Sequence, residues 1–300
     1  MFKHLTTTLT VAATLAAAVP MTTQAQGPSA MSAPTTAAHV PVNGVELYYE
    51  IHGAGEPLVM LHGGVNPSDF FGAPLAAMAE ERQVIAIHLR GHGFSTDADT
   101  PWSYELMADD VAALLEEIGI EKVDFMGMSA GGGVALQTAI RHPDLVGKLV
   151  VISKNVHDRG NYPEVQHQFD AMPEMAAQIG QNVAQSPLAE MYPDVDWERM
   201  FRKTGEMNQG PYDWSEDVAG IQAPTLLIFA DADMMDPGHI AEIYKLFGGG
   251  TRDAGIDGSL RPTQNQLAII PGTNHYNLML EATDAVTGYA KAFLAGAGAV

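Results

Sequence analysis

A serine hydroxyl becomes a nucleophile only when a neighbouring base takes its proton, and a histidine base works best when a carboxylate orients it. This chain carries all three groups in one order. Gly127-Met128-Ser129-Ala130-Gly131 has the Gly-x-Ser-x-Gly spacing of a tight strand-to-helix turn, where flanking glycines let the backbone close on itself and leave the Ser129 hydroxyl standing clear. Asp233 and then His275 follow, each just beyond a short apolar run. His275 is therefore expected to be the base and Asp233 its acid. Asp231 and Asp236 are the rival acids, and Asp236, beside Pro237, reads better as a turn former. Acyl transfer also needs donors for a developing oxyanion. The glycines of His62-Gly63-Gly64 offer the Gly64 N–H, which is expected to converge with the N–H of Ala130, while His62 is expected to be structural.

Other chemistries find no support. The chain has no cysteine, which excludes disulfides, thiolate nucleophiles and cysteine-bound zinc or iron–sulfur clusters. His88 and His92 lack an H-E-x-x-H pattern or a carboxylate cluster, so no metal is expected. Gly131 to Gly133 lack the Lys-Ser or Lys-Thr of a phosphate-binding loop and do not fit G-x-G-x-x-G, so no cofactor is expected. A formal net charge of −21 argues against nucleic acid and anionic lipid as partners.

The elements that must position these groups alternate. Val45 to Ile51 reads as a strand after an Asn43-Gly44 turn. Leu58 to Leu61, Gln83 to Leu89, Val123 to Met126, Leu149 to Ile152, Thr225 to Phe229 and Leu267 to Ile270 are short apolar runs suited to buried strands. Met107, Val111, Leu114, Leu115 and Ile118 recur at helical spacing between an N-cap at Ser103 and a stop at Gly119. A second helix is expected to open with Gly131-Gly132-Gly133 and run to about His142, and a last one carries Val286, Ala290, Phe293 and Leu294 on one face. The expected fold class is α/β, a mostly parallel sheet with helices on both faces. Residues 155–216, rich in Met and aromatic side chains but without a strand-like run, read as a helical insertion between the core segments 40–154 and 217–300.

The amino end reads as an export signal. Lys3 precedes an apolar stretch from Leu9 to Val19, closed by Pro20, with Thr23-Gln24-Ala25 as a cleavage site. The stretch is too short to span a bilayer, which needs about 20 apolar residues, so no stable membrane anchor is expected. The mature chain, periplasmic or extracellular, would begin near Gln26, with residues 26–39 a flexible lead-in.

Together, His62-Gly63-Gly64, Arg90-Gly91-His92-Gly93-Phe94-Ser95, Gly127-Met128-Ser129-Ala130-Gly131, Asp231-Ala232-Asp233 and Pro271-Gly272-Thr273-Asn274-His275 resemble the α/β-hydrolase fold superfamily. The resemblance covers about Val40 to Asn155 and Asp217 to Ala295. It implies a triad of Ser129, Asp233 and His275, and a lid over residues 155–216. The family commonly has Asp where this chain has His88, and its His-Gly-Gly-Gly branch differs from the loop here, which continues with Val65. The expected activity is cleavage of a small neutral carboxylic ester or lactone through an acyl-enzyme on Ser129. A cofactor-free haloperoxidase or perhydrolase is the first alternative, because its Gly-x-Ser-x-Gly-Gly-Gly resembles residues 127–133, and a non-catalytic binding protein is the second. Were an anionic substrate taken instead, Lys154 or Arg159 would be the cation at the lid's entrance. Acyl-chain length, ester against lactone, and oligomeric state have no sequence signal.

Overall fold

The computed structural model describes residues 33–64, 67 and 71–296, so the expected signal segment Met1–Ala25 lies outside the described residues. In chain order the strands are β1 (Thr36–Val42), β2 (Val45–His52), β3 (Pro57–Leu61), β4 (Gln83–Ile87), β5 (Val123–Met128), β6 (Val146–Ile152), β7 (Thr225–Ala232) and β8 (Gln266–Asn274). The helices of the core are α1 (Ala73–Ala79), α2 (Tyr104–Glu117) and α3 (Ala130–Arg141), then α8 (Pro237–Leu246), α9 (Leu278–Glu281) and α10 (Thr283–Leu294). Between β6 and β7 lie α4 (Pro163–Val183), α5 (Pro187–Met191), α6 (Trp197–Gln209) and α7 (Ser215–Ala219).

All eight strands form one sheet in the order β1-β2-β4-β3-β5-β6-β7-β8. The pairs β1/β2 and β2/β4 are antiparallel and the rest are parallel. The edge hairpin turns at Asn43-Gly44, both in the left-handed region at φ 44° and 81°, as a two-residue hairpin with matching strand twist requires. One expectation is corrected here. Residues 36–39 belong to β1 rather than to a flexible lead-in, since Thr36 to His39 pair with Ile51 to Tyr48. Their small Thr and Ala side chains carry no hydrophobic alternation, so the strand is set by its partner and not by its own pattern.

Central strands are buried on both sides, and successive residues divide between two cores. Val59 and Leu61 of β3 pack with Phe125 and Leu149, beneath the apolar faces of α2 and α3. Leu58 and Met60 pack with Met126 and Val150 on the opposite face, covered by α1, α9 and α10. The chain adds β4 on one side of β3 and β5 on the other. The winding therefore reverses between β3 and β5, and a crevice opens beyond their carboxyl ends, where sheets of this kind hold their ligands.

The helical insertion stands on a narrow neck. His157 bridges Asp213, and the Trp214 N–H donates to the Val156 carbonyl at 2.9 Å, so the two chain ends run together. Its α6 is latched to the core: Lys203 Nζ donates to Asp97 Oδ2 at 2.7 Å and to the Ala98 and Thr100 carbonyls, and Arg199 Nε donates to the same carboxylate oxygen. These bonds hold the Asp97 carboxyl below its usual range against the upward push of burial. Among the described residues no helix is long and apolar enough to cross a membrane.

Candidate active site

Ser129 sits between β5 and α3 at φ 51° and ψ −115°, one of three described non-glycine residues with positive φ. Such a conformation costs of order 1–3 kcal/mol and persists only where the surroundings enforce it. Here they do. A Cβ on Gly127 would strike the Gly131 carbonyl, and one on Gly131 would strike the Leu61 carbonyl, so only glycine allows strand, turn and helix to pack this closely. The Ser129 N–H donates to the Ile152 carbonyl at 2.8 Å, which ties the turn to β6.

β7 and β8 bring up the other two groups. His275, just past β8, has Nε2 at 3.1 Å from Ser129 Oγ and Nδ1 at 2.9 Å from Asp233 Oδ1. The Asp233 side chain is fully buried and the His275 side chain 12% exposed. Burial alone would push the Asp233 carboxyl up, but bonds from His275, Ser153 and the Met234 N–H outweigh it and hold the group below its ordinary value. The rivals have other partners. Asp231 Oδ1 accepts from the Thr273 N–H at 3.0 Å, joining β7 to β8, and Asp236 caps α8 by accepting from the Gly238 N–H.

On the far side of Ser129, β3 delivers the Gly63-Gly64 loop. A Cβ on Gly63 would lie 3.7 Å from Ser129 Cβ, and one on Gly64 would lie 3.5 Å from Ala130 Cβ. His62 is fully buried; its Nε2 accepts from the Leu89 N–H at 3.0 Å, so its proton is on Nδ1, 2.6 Å from the Gly63 carbonyl oxygen. In a planar trans peptide the N–H points opposite the C=O, so this bond also fixes the direction of the Gly64 N–H. Burial holds the His62 ring neutral, well below its usual pKa. His92 adds a second tie at the Gly64 carbonyl, 3.0 Å from its Nε2.

His88, at the position where the resemblance leads one to expect Asp, has a clear job. Its Nδ1 accepts from the Phe94 N–H at 3.0 Å, and its ring stacks against Phe71 and Phe94. Burial pushes its pKa down to about 4, so a neutral acceptor closes the loop where a carboxylate would bring charge into an aromatic cluster.

Two further residues stand out here: Ser153, which carries no sequence signal, and Lys154, which the sequence suggests only as an entrance cation for an anionic substrate. Ser153, at φ 50° just past β6, donates its Oγ–H to Asp233 Oδ2 at 2.6 Å and is buried. Lys154 is buried in a box of Tyr104, Tyr212 and Trp214; Nζ donates to both tyrosine hydroxyls at 3.1 Å, and burial pushes its pKa down to about 7. Arg159 pairs with Asp158 and Asp213. Lys154 is thus enclosed by neutral aromatic groups, whereas Arg159 is ion-paired. Of the insertion's large apolar side chains, Met172, Tyr192, Trp197, Met200, Phe201 and Trp214 are core, while Met175 and Met191 face outward.

Residues 56–190 match the family model described as alpha/beta hydrolase fold. With the strand order and the turn at Ser129, that match decides the architecture. The chain has the α/β-hydrolase fold. Among solved structures of this fold, an alpha/beta hydrolase enzyme from a Medee basin deep-sea metagenome library superposes with a TM-score of 0.70 at 17% identity, covering 86% of this chain and 97% of that one. The enol-lactonase from Burkholderia xenovorans LB400 gives 0.66 at 23% identity, covering 86% and 100%. In sequence, the chain is 38% identical over 128 residues to a putative carbamate hydrolase RutD of Caulobacter segnis, covering 41% of this chain and 47% of that protein. It is also 38% identical over 104 residues to a 2-hydroxymuconate semialdehyde hydrolase of a Pseudomonas species, covering 33% and 37%. The chain thus aligns with less than half the length of these curated relatives.

Proposed function

We propose that this α/β-hydrolase-fold protein is a serine hydrolase of neutral carboxylic esters or lactones, working through an acyl-enzyme on Ser129. The observation that carries the reading is the continuous relay from Ser129 Oγ through the His275 ring to Asp233, at 3.1 and 2.9 Å. In that reading His275 Nε2 takes the Ser129 proton as Oγ bonds to the ester carbonyl carbon. Negative charge gathers on the carbonyl oxygen, opposite the N–H groups of Gly64 and Ala130. The C–O bond to the alcohol then breaks, and the leaving oxygen receives the proton from His275. Water repeats the sequence on the acyl-enzyme, giving up a proton to His275 and releasing the acid. Asp233 stays ionised throughout and holds the imidazolium that forms.

The names of the sequence relatives include bonds other than esters, so the test begins without a substrate. A fluorophosphonate probe is expected to label wild-type protein at Ser129, after which p-nitrophenyl esters of increasing acyl length identify the preferred chain. Absence of labelling in folded protein rejects the serine mechanism.

Charge leads to a further expectation. A net charge of −21 repels anions, Arg159 is ion-paired with Asp213, and Lys154 is enclosed with its Nζ on two tyrosine hydroxyls. Neutral esters are therefore expected to exceed a hemiester with a free carboxylate in kcat/KM, by about tenfold or more at low salt, with the gap narrowing as salt screens the field. A hemiester that outcompetes its neutral counterpart at low salt contradicts this.

Export belongs to the same proposal, supported by the apolar run from Leu9 to Val19 and the small residues ending at Ala25. Intact mass of protein recovered outside the cytoplasm is expected to correspond to a chain beginning near Gln26. Full-length protein retained with its first residues in the membrane fraction rejects it.

A further inference from the structure

Away from the Ser129 relay, the neck of the insertion meets α8 in a compact cluster. His157 comes from the neck, and His239 and Glu242 lie one turn apart on α8. Glu242 Oε2 is 3.1 Å from His157 Nε2 and 2.9 Å from His239 Nδ1, and all three ligand atoms fall within 4.8 Å of one another. Both imidazoles are buried, at 6% and 5% exposure, whereas the Glu242 side chain is 49% exposed. Two ring nitrogens thus point at one oxygen at the end of a short path to solvent. His157 Nδ1, the ring nitrogen that does not face Glu242, is buried without a hydrogen-bond partner among the described residues and would carry the ring proton when Nε2 binds an ion.

We infer that His157, His239 and Glu242 form a binding site for a divalent transition-metal ion of the zinc class, separate from the Ser129 relay. Bonds of about 2.0–2.2 Å to a tetrahedral ion place ligand atoms about 3.3–3.5 Å apart. The observed 3.1 and 2.9 Å therefore open by a few tenths of an ångström, and the two imidazole nitrogens, which lie within 4.8 Å of one another, settle to the same spacing. Two imidazoles with one carboxylate favour zinc, cobalt or nickel over magnesium or calcium, which prefer all-oxygen shells. Water can reach the remaining positions beside half-exposed Glu242. As the ion binds, each ring exchanges its proton to its other nitrogen through solvent, His157 from Nε2 to Nδ1 and His239 from Nδ1 to Nε2, so both imidazoles stay neutral.

The surroundings set both the attraction and its limit. Asp158, Asp213 and Asp236 lie near the cluster against the single positive charge of Arg159, so the local balance is negative. Against this, His239 Nε2 accepts from the Val156 N–H at 3.3 Å. An imidazole bound through Nδ1 carries its proton on Nε2, so loading gives up that contact. Losses of this kind cost 10–100-fold in affinity, which places binding in the micromolar range rather than the nanomolar range of closed structural sites, as an order of magnitude. A bound ion would clip the neck to α8 and so pin the insertion to the core.

The test uses the full chain stripped with EDTA. Zinc chloride titrated calorimetrically is expected to bind once per chain with a Kd of about 1–10 μM and to raise Tm. Cobalt(II) is expected to give a visible d–d band, a signature independent of turnover. Glu242→Ala, at a half-exposed position, and His157→Gln, which keeps a polar side chain, should each weaken zinc binding by about tenfold or more and abolish the rise in Tm. Magnesium should do nothing. Absence of zinc binding to wild-type protein overturns the inference, and so does binding that both variants retain, since it would then belong to other histidines. Neither outcome bears on esterase activity, which needs no metal in the proposed mechanism.

Discussion

Ser129→Ala is expected to abolish ester hydrolysis, and His275→Ala to lower kcat nearly as far, by about 10⁵–10⁶ each, with the double variant no worse than either single one. The reason lies in the shared proton. Ser129 Oγ is nucleophilic only as its hydrogen passes to His275 Nε2, 3.1 Å away, so removing either partner removes the same step. What survives is the contribution of the Gly64 and Ala130 donors and of substrate binding. KM should therefore change little while kcat collapses. The test is kcat and KM for a p-nitrophenyl ester across the two single variants and the double variant, with circular dichroism to show each one folded. Losses that simply add would mean that the two residues act independently, and the relay reading would fail. Substantial turnover in folded Ser129→Ala would do the same.

The parts of the molecule legible in sequence are those in which local geometry forces residue identity. Gly127 and Gly131 stand where a Cβ would meet backbone, so the turn is written in glycine. Asp233 and His275 follow the apolar runs that became β7 and β8, and an α/β sheet places its site at such strand ends. Asn43-Gly44 announces its hairpin for a related reason, two successive residues at positive φ. Illegible features depend on a partner distant in the chain. β1 is a strand because β2 lies beside it, and α1 passes unnoticed because its seven residues are too few to show a helical period. Ser153 looks like any polar residue after a strand until Asp233, 80 positions later, folds against it. Lys154 reads as an exposed cation, yet three aromatic rings from α2 and the end of the insertion enclose it. His157 gives no hint of its convergence with His239 and Glu242, because that pairing exists only once the insertion's neck has docked on α8.

Asp233→Asn is expected to lower kcat by about 10⁴, less than the loss of Ser129 or His275 but far more than Asp231→Asn or Asp236→Asn. Asp233 accepts four hydrogen bonds: His275 Nδ1 and the Met234 N–H at Oδ1, and the Ser153 Oγ–H and the Ala230 N–H at Oδ2. An amide replaces one of these oxygens with a donor. If the amide nitrogen faces Ser153 and Ala230, it meets groups that already donate; if it faces His275, it selects the tautomer whose Nε2 carries the proton and cannot take one from Ser129. Ser153 then becomes the sensitive control. Ser153→Ala removes one donor from the carboxylate, so kcat is expected to fall about tenfold at unchanged KM. The Asp233 carboxyl, now held below its ordinary value, should titrate higher. The sign follows from that shift: stability contributed by ionised Asp233 is lost as pH falls through its pKa, so the variant should lose it at a higher pH than wild type in acid unfolding. Ser153 also sits at φ 50°, and Ser153→Gly relieves that strain while deleting the same hydroxyl. Equal losses in the Ala and Gly variants assign the effect to the hydrogen bond. Full activity in Ser153→Gly would instead make Ser153 a matter of backbone shape, and would leave Asp233 held by its backbone donors and His275 alone.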